Sequence, residues 1–332
     1  MRRYDVCAIG NALVDYEIDV EDTFFSRNEI EKGMMTLVDE DRQKNLLRQV
    51  SNNIKKKQGG GSAANSVVAL NQLGGKGFYS CKVADDEDGQ FYLKDLHELG
   101  IDTSLDGKEL PQGVTGKCLI MVTPDAERTM NTCLAITSDF SPQELNETAI
   151  LSSQYLFIEG YLVSSPTGFD AALKAKQLAE SKNVKVALTF SDPSMVKYFG
   201  ENMTQLVGAS VDLVFCNEEE AMLYTKTKTV EAASEQLKHA AKHFVITQGQ
   251  NGAIIWDGEA FIDVEPHPIN ALDTTGAGDM FAGAFLYAIT NGYDMASAGL
   301  LASKTSSTVV GQYGPRLQQS EMHLIKKGLL SS

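Results

Sequence analysis

Six short apolar runs recur along this chain, each about the length of one β-strand, and most are separated by stretches with helical spacing. The runs fall at 6–9, 77–80, 155–159, 184–190, 211–216 and 243–247, and the helical stretches at 63–73, 89–99, 168–181 and 230–242. A strand that is apolar on both faces must be covered on both, and strands joined through helices run parallel. The alternation therefore predicts a three-layer α/β/α sandwich around a mostly parallel sheet. At 332 residues the chain is long enough for one such domain with an appendage, or for two domains.

Two stretches break this rhythm. Residues 12–20 alternate polar and apolar side chains, and 34–38 is a second short strand-like run. Residues 113–132 then read as a hairpin, with a turn at Thr123-Pro124-Asp125-Ala126 between β-rich arms. These strands are expected to form a small sheet at 12–39 and 113–132, projecting from a core at 1–11, 40–112 and 133–332. A small sheet on flexible edges suits a lid that closes over substrate and excludes water.

The formal net charge of −15 argues against nucleic acid and anionic membrane surfaces as partners, since both recruit Lys and Arg. The longest basic run, Lys55-Lys56-Lys57, is too short to reverse that. The five cysteines lack a C-x-x-C pair and lie mostly in apolar runs, as buried reduced thiols of a cytoplasmic protein would. No apolar stretch approaches the roughly 18 residues of a spanning helix, and no signal-type segment opens the chain.

The chemistry concentrates where loops enter helices. Asp273-Thr274-Thr275-Gly276-Ala277-Gly278-Asp279 runs straight into the apolar stretch 280–286. Such a segment can aim several backbone N–H groups at one anion, with the helix dipole behind them. An acid there would repel a bound phosphate, but it makes sense as the base for a neighbouring hydroxyl. Gln58-Gly59-Gly60-Gly61-Ser62-Ala63-Ala64-Asn65 is a second glycine run opening into a helix, either a linker or a hinge with an amide for hydroxyls. Gly10-Asn11-Ala12-Leu13-Val14-Asp15 follows the first strand, where ligands of open α/β sheets gather. Asn11 and Asp15 can hold vicinal hydroxyls, or can simply serve a turn. At Asn217-Glu218-Glu219-Glu220, acids suit a helix N-terminus for dipole reasons, while Asn217 and Glu220 share a face that could hold hydrated Mg²⁺. Thr247-Gln248-Gly249-Gln250-Asn251-Gly252 allows close approach by a nucleotide. No Walker loop, zinc motif or G-x-S-x-G elbow occurs. His239 and His243 read as a solvated pair on one helical face.

Taken together, these elements resemble the ribokinase family, also called the PfkB family of carbohydrate kinases. The likeness covers nearly the whole chain and rests on both family signatures, the glycine-rich segment 59–65 and the far more specific 273–279. It implies a ribokinase-like core with a β-sheet lid and transfer of the ATP γ-phosphoryl group to a primary alcohol. Asp279 would be the base, and the N–H groups of Gly276, Ala277 and Gly278 the anion hole. Asn217 and Glu220 match the Mg²⁺/phosphate element, with Glu220 acting through water, and Thr247, Gly249 and Gly252 match the adenine-nucleotide loop. Asn11, Asp15, Gly60, Gly61, Asn65 and Glu159 match positions that bind substrate hydroxyls. Many members bind a monovalent cation such as K⁺, for which Asp273 and Thr275 match two ligands, with carbonyls from 307–314 completing the set. Lids in the family often pair into homodimers, although some members are monomers. The segments 10–15 and 124–132 look most like the adenosine-kinase-like branch, so the expected acceptor is a nucleoside, with a free sugar as the alternative and a non-catalytic sugar or nucleotide sensor as a third reading.

Overall fold

The computed structural model describes residues 3–125 and 127–330. Ala126, the last residue of the expected turn, lies outside the described residues, as do positions 1–2 and 331–332. In chain order the strands are β1 Tyr4–Ile9, β2 Leu13–Asp19, β3 Met35–Leu37, β4 Ile54–Gly60, β5 Gly77–Ser80, β6 Asp102–Thr103 and β7 Gly116–Val122. They continue with β8 Arg128–Cys133, β9 Ser153–Ile158, β10 Lys185–Thr189, β11 Val211–Asn217, β12 Ala241–Thr247, β13 Ala253–Trp256 and β14 Phe261–Val264.

Nine of them form one sheet in the order β14-β13-β12-β11-β10-β9-β1-β5-β6, parallel from β6 to β12 and antiparallel at β13 and β14. Alternation along the strands divides the core in two. Val6, Ala8, Phe157, Phe215 and Val245 pack with Val67, Leu70, Phe281, Phe285 and Leu301 from helices Ser62–Gln72, Ala277–Thr290 and Met295–Val310. Cys7, Ile9, Leu156, Ile158, Val214 and Ile246 pack on the other face with Ala171, Ala175, Leu206 and Leu237. This is the expected sandwich of helices on both faces of a mostly parallel sheet.

One helix ends earlier than its sequence suggests. The segment 230–242 stops as a helix at Leu237, and β12 begins at Ala241. His239 therefore sits in the turn between them and His243 lies on a strand opposite Leu213, so the two do not share a helical face. Pairing with β11 buries Phe244 and Ile246, and that gain outweighs the weak helical periodicity of the polar stretch.

The remaining strands form the second sheet, in the order β3-β8-β7-β2-β4. The boundaries differ here from those the sequence predicts, because β4 lies in the expected core stretch 40–112 but pairs antiparallel with β2. Its lysines give it no apolar alternation, so only pairing identifies it as a strand. One core carboxylate gathers three strands of the small sheet. Asp88, on helix Glu87–Glu98, receives Lys57 of β4 at 2.7 Å, Lys117 of β7 at 2.9 Å and the Tyr16 hydroxyl of β2. Among the described residues, no helix is long and apolar enough to cross a membrane.

Candidate active site

The sequence-selected residues converge beyond the carboxyl ends of β1, β9, β11 and β12, between the main sheet and the small one. Helix Ala277–Thr290 begins there, with Asp279 as its third residue. Gly276 caps it at φ +75, and a Cβ on Gly276 would overlap Pro315, so this turn admits only glycine. No described side chain caps the helix. Among the described residues, the N–H groups of Gly276, Gly278 and Asp279 have no protein acceptor, whereas that of Ala277 donates to the Thr274 carbonyl at 3.2 Å. Of the three amides expected to form an anion hole, that of Ala277 is thus engaged, and the Asp279 amide is free in its stead.

Helix Ser62–Gln72 meets this helix at close range, because Gly283 lets the Ser66 backbone and the Ala69 side chain approach where a Cβ would collide with both. The approach brings Ser62 and Asn65 onto the catalytic candidate. Ser62 Oγ donates to Asp279 Oδ1 at 2.6 Å, and Asn65 Nδ2 donates to Asp279 Oδ2 at 3.0 Å. Burial raises the Asp279 pKa to about 6, against the opposing effect of these two donors and of Arg316.

Asp15, on β2, is buried above the same floor. Burial pushes it up to about 7, with Arg316 and Arg128 acting in the other direction. Gly60 ends β4 against Asp15, and Gly61 caps the 62–72 helix. Glu159 departs from its expected role of binding substrate hydroxyls. Its carboxylate accepts from the backbone and side chain of Asn11 at 3.1 and 3.0 Å and from the Ala63 N–H at 2.8 Å. Only 1% exposed, it joins the end of β1 to the start of the glycine-run helix and faces protein throughout.

Asn217 and Glu220 form a reciprocal capping box at the start of helix Glu218–Thr225. Asn217 N and Nδ2 donate to the two Glu220 oxygens at 3.0 and 2.9 Å, and Glu220 N donates to Asn217 Oδ1 at 2.8 Å. A carboxylate with two such bonds retains lone pairs for water, so the pair fits the expected water-mediated Mg²⁺ contact. Thr247 lies beside Asn217 across the β11–β12 pair, and Gly249 and Gly252 follow at φ +56 and +87. The two expected nucleotide elements are therefore neighbours.

The expected monovalent-cation site takes a different form. Asp273 Oδ1 accepts from Thr275 N at 2.9 Å, and Oδ2 accepts from Gly314 N at 2.8 Å. Arg128 of β8 pairs with that same Oδ2 and donates to Thr275 Oγ1 at 3.2 Å. A guanidinium on this face puts positive charge where a cation would have to sit, and both Asp273 oxygens already accept backbone N–H groups. These residues do not fit a bound K⁺ in this arrangement.

Sequence reasoning missed Ser62, Arg128, Arg316 and Asp95 as site residues. Arg128 carries two buried donors, Nε and Nη2, without partners among the described residues. Arg316 joins Asn65 Oδ1, at 2.9 Å, to Asp95 Oδ2, at 2.7 Å. Ser62 was legible from its place after the glycines. The two arginines had no local signal, since each reaches the site from an element remote in sequence.

The pfkB family carbohydrate kinase model matches residues 34–322. The chain belongs to the pfkB family of carbohydrate kinases. A 5-dehydro-2-deoxygluconokinase of Halalkalibacterium halodurans is 30% identical over 274 residues, 75% of this chain and 81% of the relative. An adenosine kinase from Sinorhizobium meliloti superposes at a TM-score of 0.88 and 31% identity, over 98% of this chain and 99% of its own. A probable sugar kinase from Rhizobium etli superposes at 0.89 and 31% identity, over 99% of both chains. This pfkB kinase is accordingly a phosphotransferase acting on a hydroxyl group, with the ribokinase-like fold.

Proposed function

We propose that this kinase transfers the γ-phosphoryl group of ATP to a primary hydroxyl of an adenosine-like nucleoside. The observation that carries the reading is the join at Asp279, where a carboxylate held by Ser62 and Asn65 adjoins three unbonded amides at a helix N-terminus. The carboxylate accepts the hydroxyl proton as the nucleophile attacks. The amides and the positive helix end stabilise charge on the phosphoryl group in flight. Arg128, with its two unpartnered donors, is the side chain best placed to pair with phosphate oxygens. Mg²⁺, held through water by Glu220, would neutralise nucleotide phosphates when bound. Asn11 and Asp15 are the hydroxyl ligands for the acceptor, and closure of the small sheet would exclude water.

For a nucleoside, the support is a groove of about 620 Å³ whose lining includes Leu37, Val38, Leu134 and Ile136. It adjoins Thr137, whose hydroxyl accepts from Ala12 N at 2.9 Å and donates to Asn11 Oδ1 at 3.4 Å. An apolar wall beside a hydroxyl-binding turn suits a base attached to a sugar. A second reading, a free sugar or sugar acid, is favoured by the 30% identity to a 5-dehydro-2-deoxygluconokinase. Asp15 and Asp279 on the acceptor floor weigh against an acidic acceptor. Measuring ADP release against nucleosides, ketoses and 5-dehydro-2-deoxygluconate distinguishes the readings. Adenosine is expected to give the highest kcat/KM. A free sugar or sugar acid in first place overturns the nucleoside reading, and no stimulation by any alcohol overturns the kinase mechanism.

A further inference from the structure

Arg316 enters the acceptor floor from the turn between helices Met295–Val310 and Gln319–Leu330, and the phosphoryl-transfer reading gives it no task. Its side chain is only 9% exposed. Nε donates to Asn65 Oδ1 at 2.9 Å, and Nη1 donates to Asp95 Oδ2 at 2.7 Å. Pro315, one residue earlier, packs against Gly276, so one turn braces the anion loop and also carries the guanidinium.

The consequence lies in the Asn65 amide. A carboxamide has a donor end and an acceptor end, and rotation by half a turn exchanges them. In the observed orientation Nδ2 donates to Asp279 and Oδ1 accepts from Arg316. Rotated, Oδ1 would face a carboxylate and Nδ2 would face a guanidinium N–H, so both contacts would turn repulsive. Removing Arg316 would take away half of that preference.

We propose that Arg316, held by Asp95, is a positioning residue that fixes the Asn65 amide so that an N–H donor stays on the Asp279 carboxylate. The proposal rests on the reading of Asp279 as the base. The groups that bear on Asp279 come from several elements: Ser62 and Asn65 on one helix, Arg316 in its turn, Asp15 on β2, and Glu159 and Tyr161 after β9. Arg128 of β8 bears on Asp15 and pairs with Asp273. The carboxyls favour a protonated Asp279, and the donors favour the carboxylate.

The test follows the Asp279 carboxyl by ¹³C NMR titration of the full chain, with Asp279→Asn identifying its resonance, alongside the pH profile of kcat/KM. Arg316→Met is expected to raise the Asp279 midpoint and the acid limb together by about one pH unit. Arg316→Lys, which keeps the charge and the partnership with Asp95 but lacks Nε, is expected to shift them in the same direction. In an Asn65→Leu background the Arg316→Met shift should fall to less than half, leaving only the direct charge effect of the guanidinium on Asp279. The proposal is overturned if the Arg316→Met titration superposes on that of the wild type, or if the shift keeps its full size in the Asn65→Leu background, which would make it a direct charge effect alone. The NMR arm does not depend on turnover. A wild type inert with every alcohol that still shows the Asn65-dependent shift would sink the kinase mechanism and leave the positioning intact.

Discussion

As the proposed base, Asp279 has to meet two opposed demands, to be ionised at neutral pH and still basic enough to take a proton. Burial raises its pKa to about 6, while Ser62, Asn65 and Arg316 limit the rise. The acid limb of kcat/KM is accordingly expected near that pH, with activity rising as the carboxyl ionises. Asp279→Asn is expected to lower kcat by about 10³-fold while nucleotide affinity is largely retained, since the proposed role of the lost group is on the acceptor hydroxyl. ADP release and nucleotide titration check the two halves separately. Arg128→Ala is expected to cost about 10²-fold in kcat if its free donors meet the phosphoryl group. Because Arg128 already pairs with Asp273, turnover is expected to be equal in potassium and in tetramethylammonium buffers. A several-fold K⁺ stimulation would refute that arrangement.

At the scale of elements, the site depends on two junctions. One is the crossing of helices Ser62–Gln72 and Ala277–Thr290, close-packed at Gly283. Gly283→Ala is expected to destabilise the chain by about 1–3 kcal/mol through overpacking. By moving Asp279 from Ser62 and Asn65, it should also reduce kcat by roughly 10-fold or more. Thermal unfolding and initial rates measure both effects, and an unchanged kcat would show that the helices do not set the base. The other junction is Asp88, which gathers Lys57, Lys117 and Tyr16 from three strands of the small sheet. Asp88→Ala leaves two largely buried ammonium groups unpaired, a loss of about 3 kcal/mol by comparison with other broken buried pairs. Hydrogen exchange should accelerate in β2, β4 and β7 before it does in β1 or β9. Uniform exchange across both sheets would rule out Asp88 as the anchor.

Over the whole molecule, four buried carboxyls share one electrostatic bias. Burial raises Asp15, Glu159 and Glu220 to about 7 and Asp279 to about 6, above ordinary values of 3.8 for Asp and 4.5 for Glu. In the pH interval between those ordinary values and the raised ones, the folded chain binds more protons than the unfolded chain. The stability these groups contribute is full below about pH 4 and is lost as pH rises through 6 to 7. Self-repulsion at a net charge of −15 acts in the same direction. The thermal midpoint of the ligand-free chain is therefore expected to be higher at pH 5.5 than at pH 8. A midpoint that rises across that range would mean that these carboxyls are ionised in the fold.

The strand–helix alternation and the two glycine-rich helix entries were determined by the sequence alone, because periodicity and backbone freedom are local properties. They carried the sandwich and, with the motifs between them, the resemblance to the family. The tertiary structure decided what depends on contacts between remote segments. It moved β4 into the small sheet, ended the 230–242 helix at Leu237, turned Glu159 toward Asn11 and Ala63, and exchanged Ala277 for Asp279 among the free amides. It also brought Arg128 and Arg316, from β8 and from the turn before the last helix, onto Asp273 and Asn65. Hydrogen-bond partners and burial set these roles, and both are fixed only when segments hundreds of residues apart pack together.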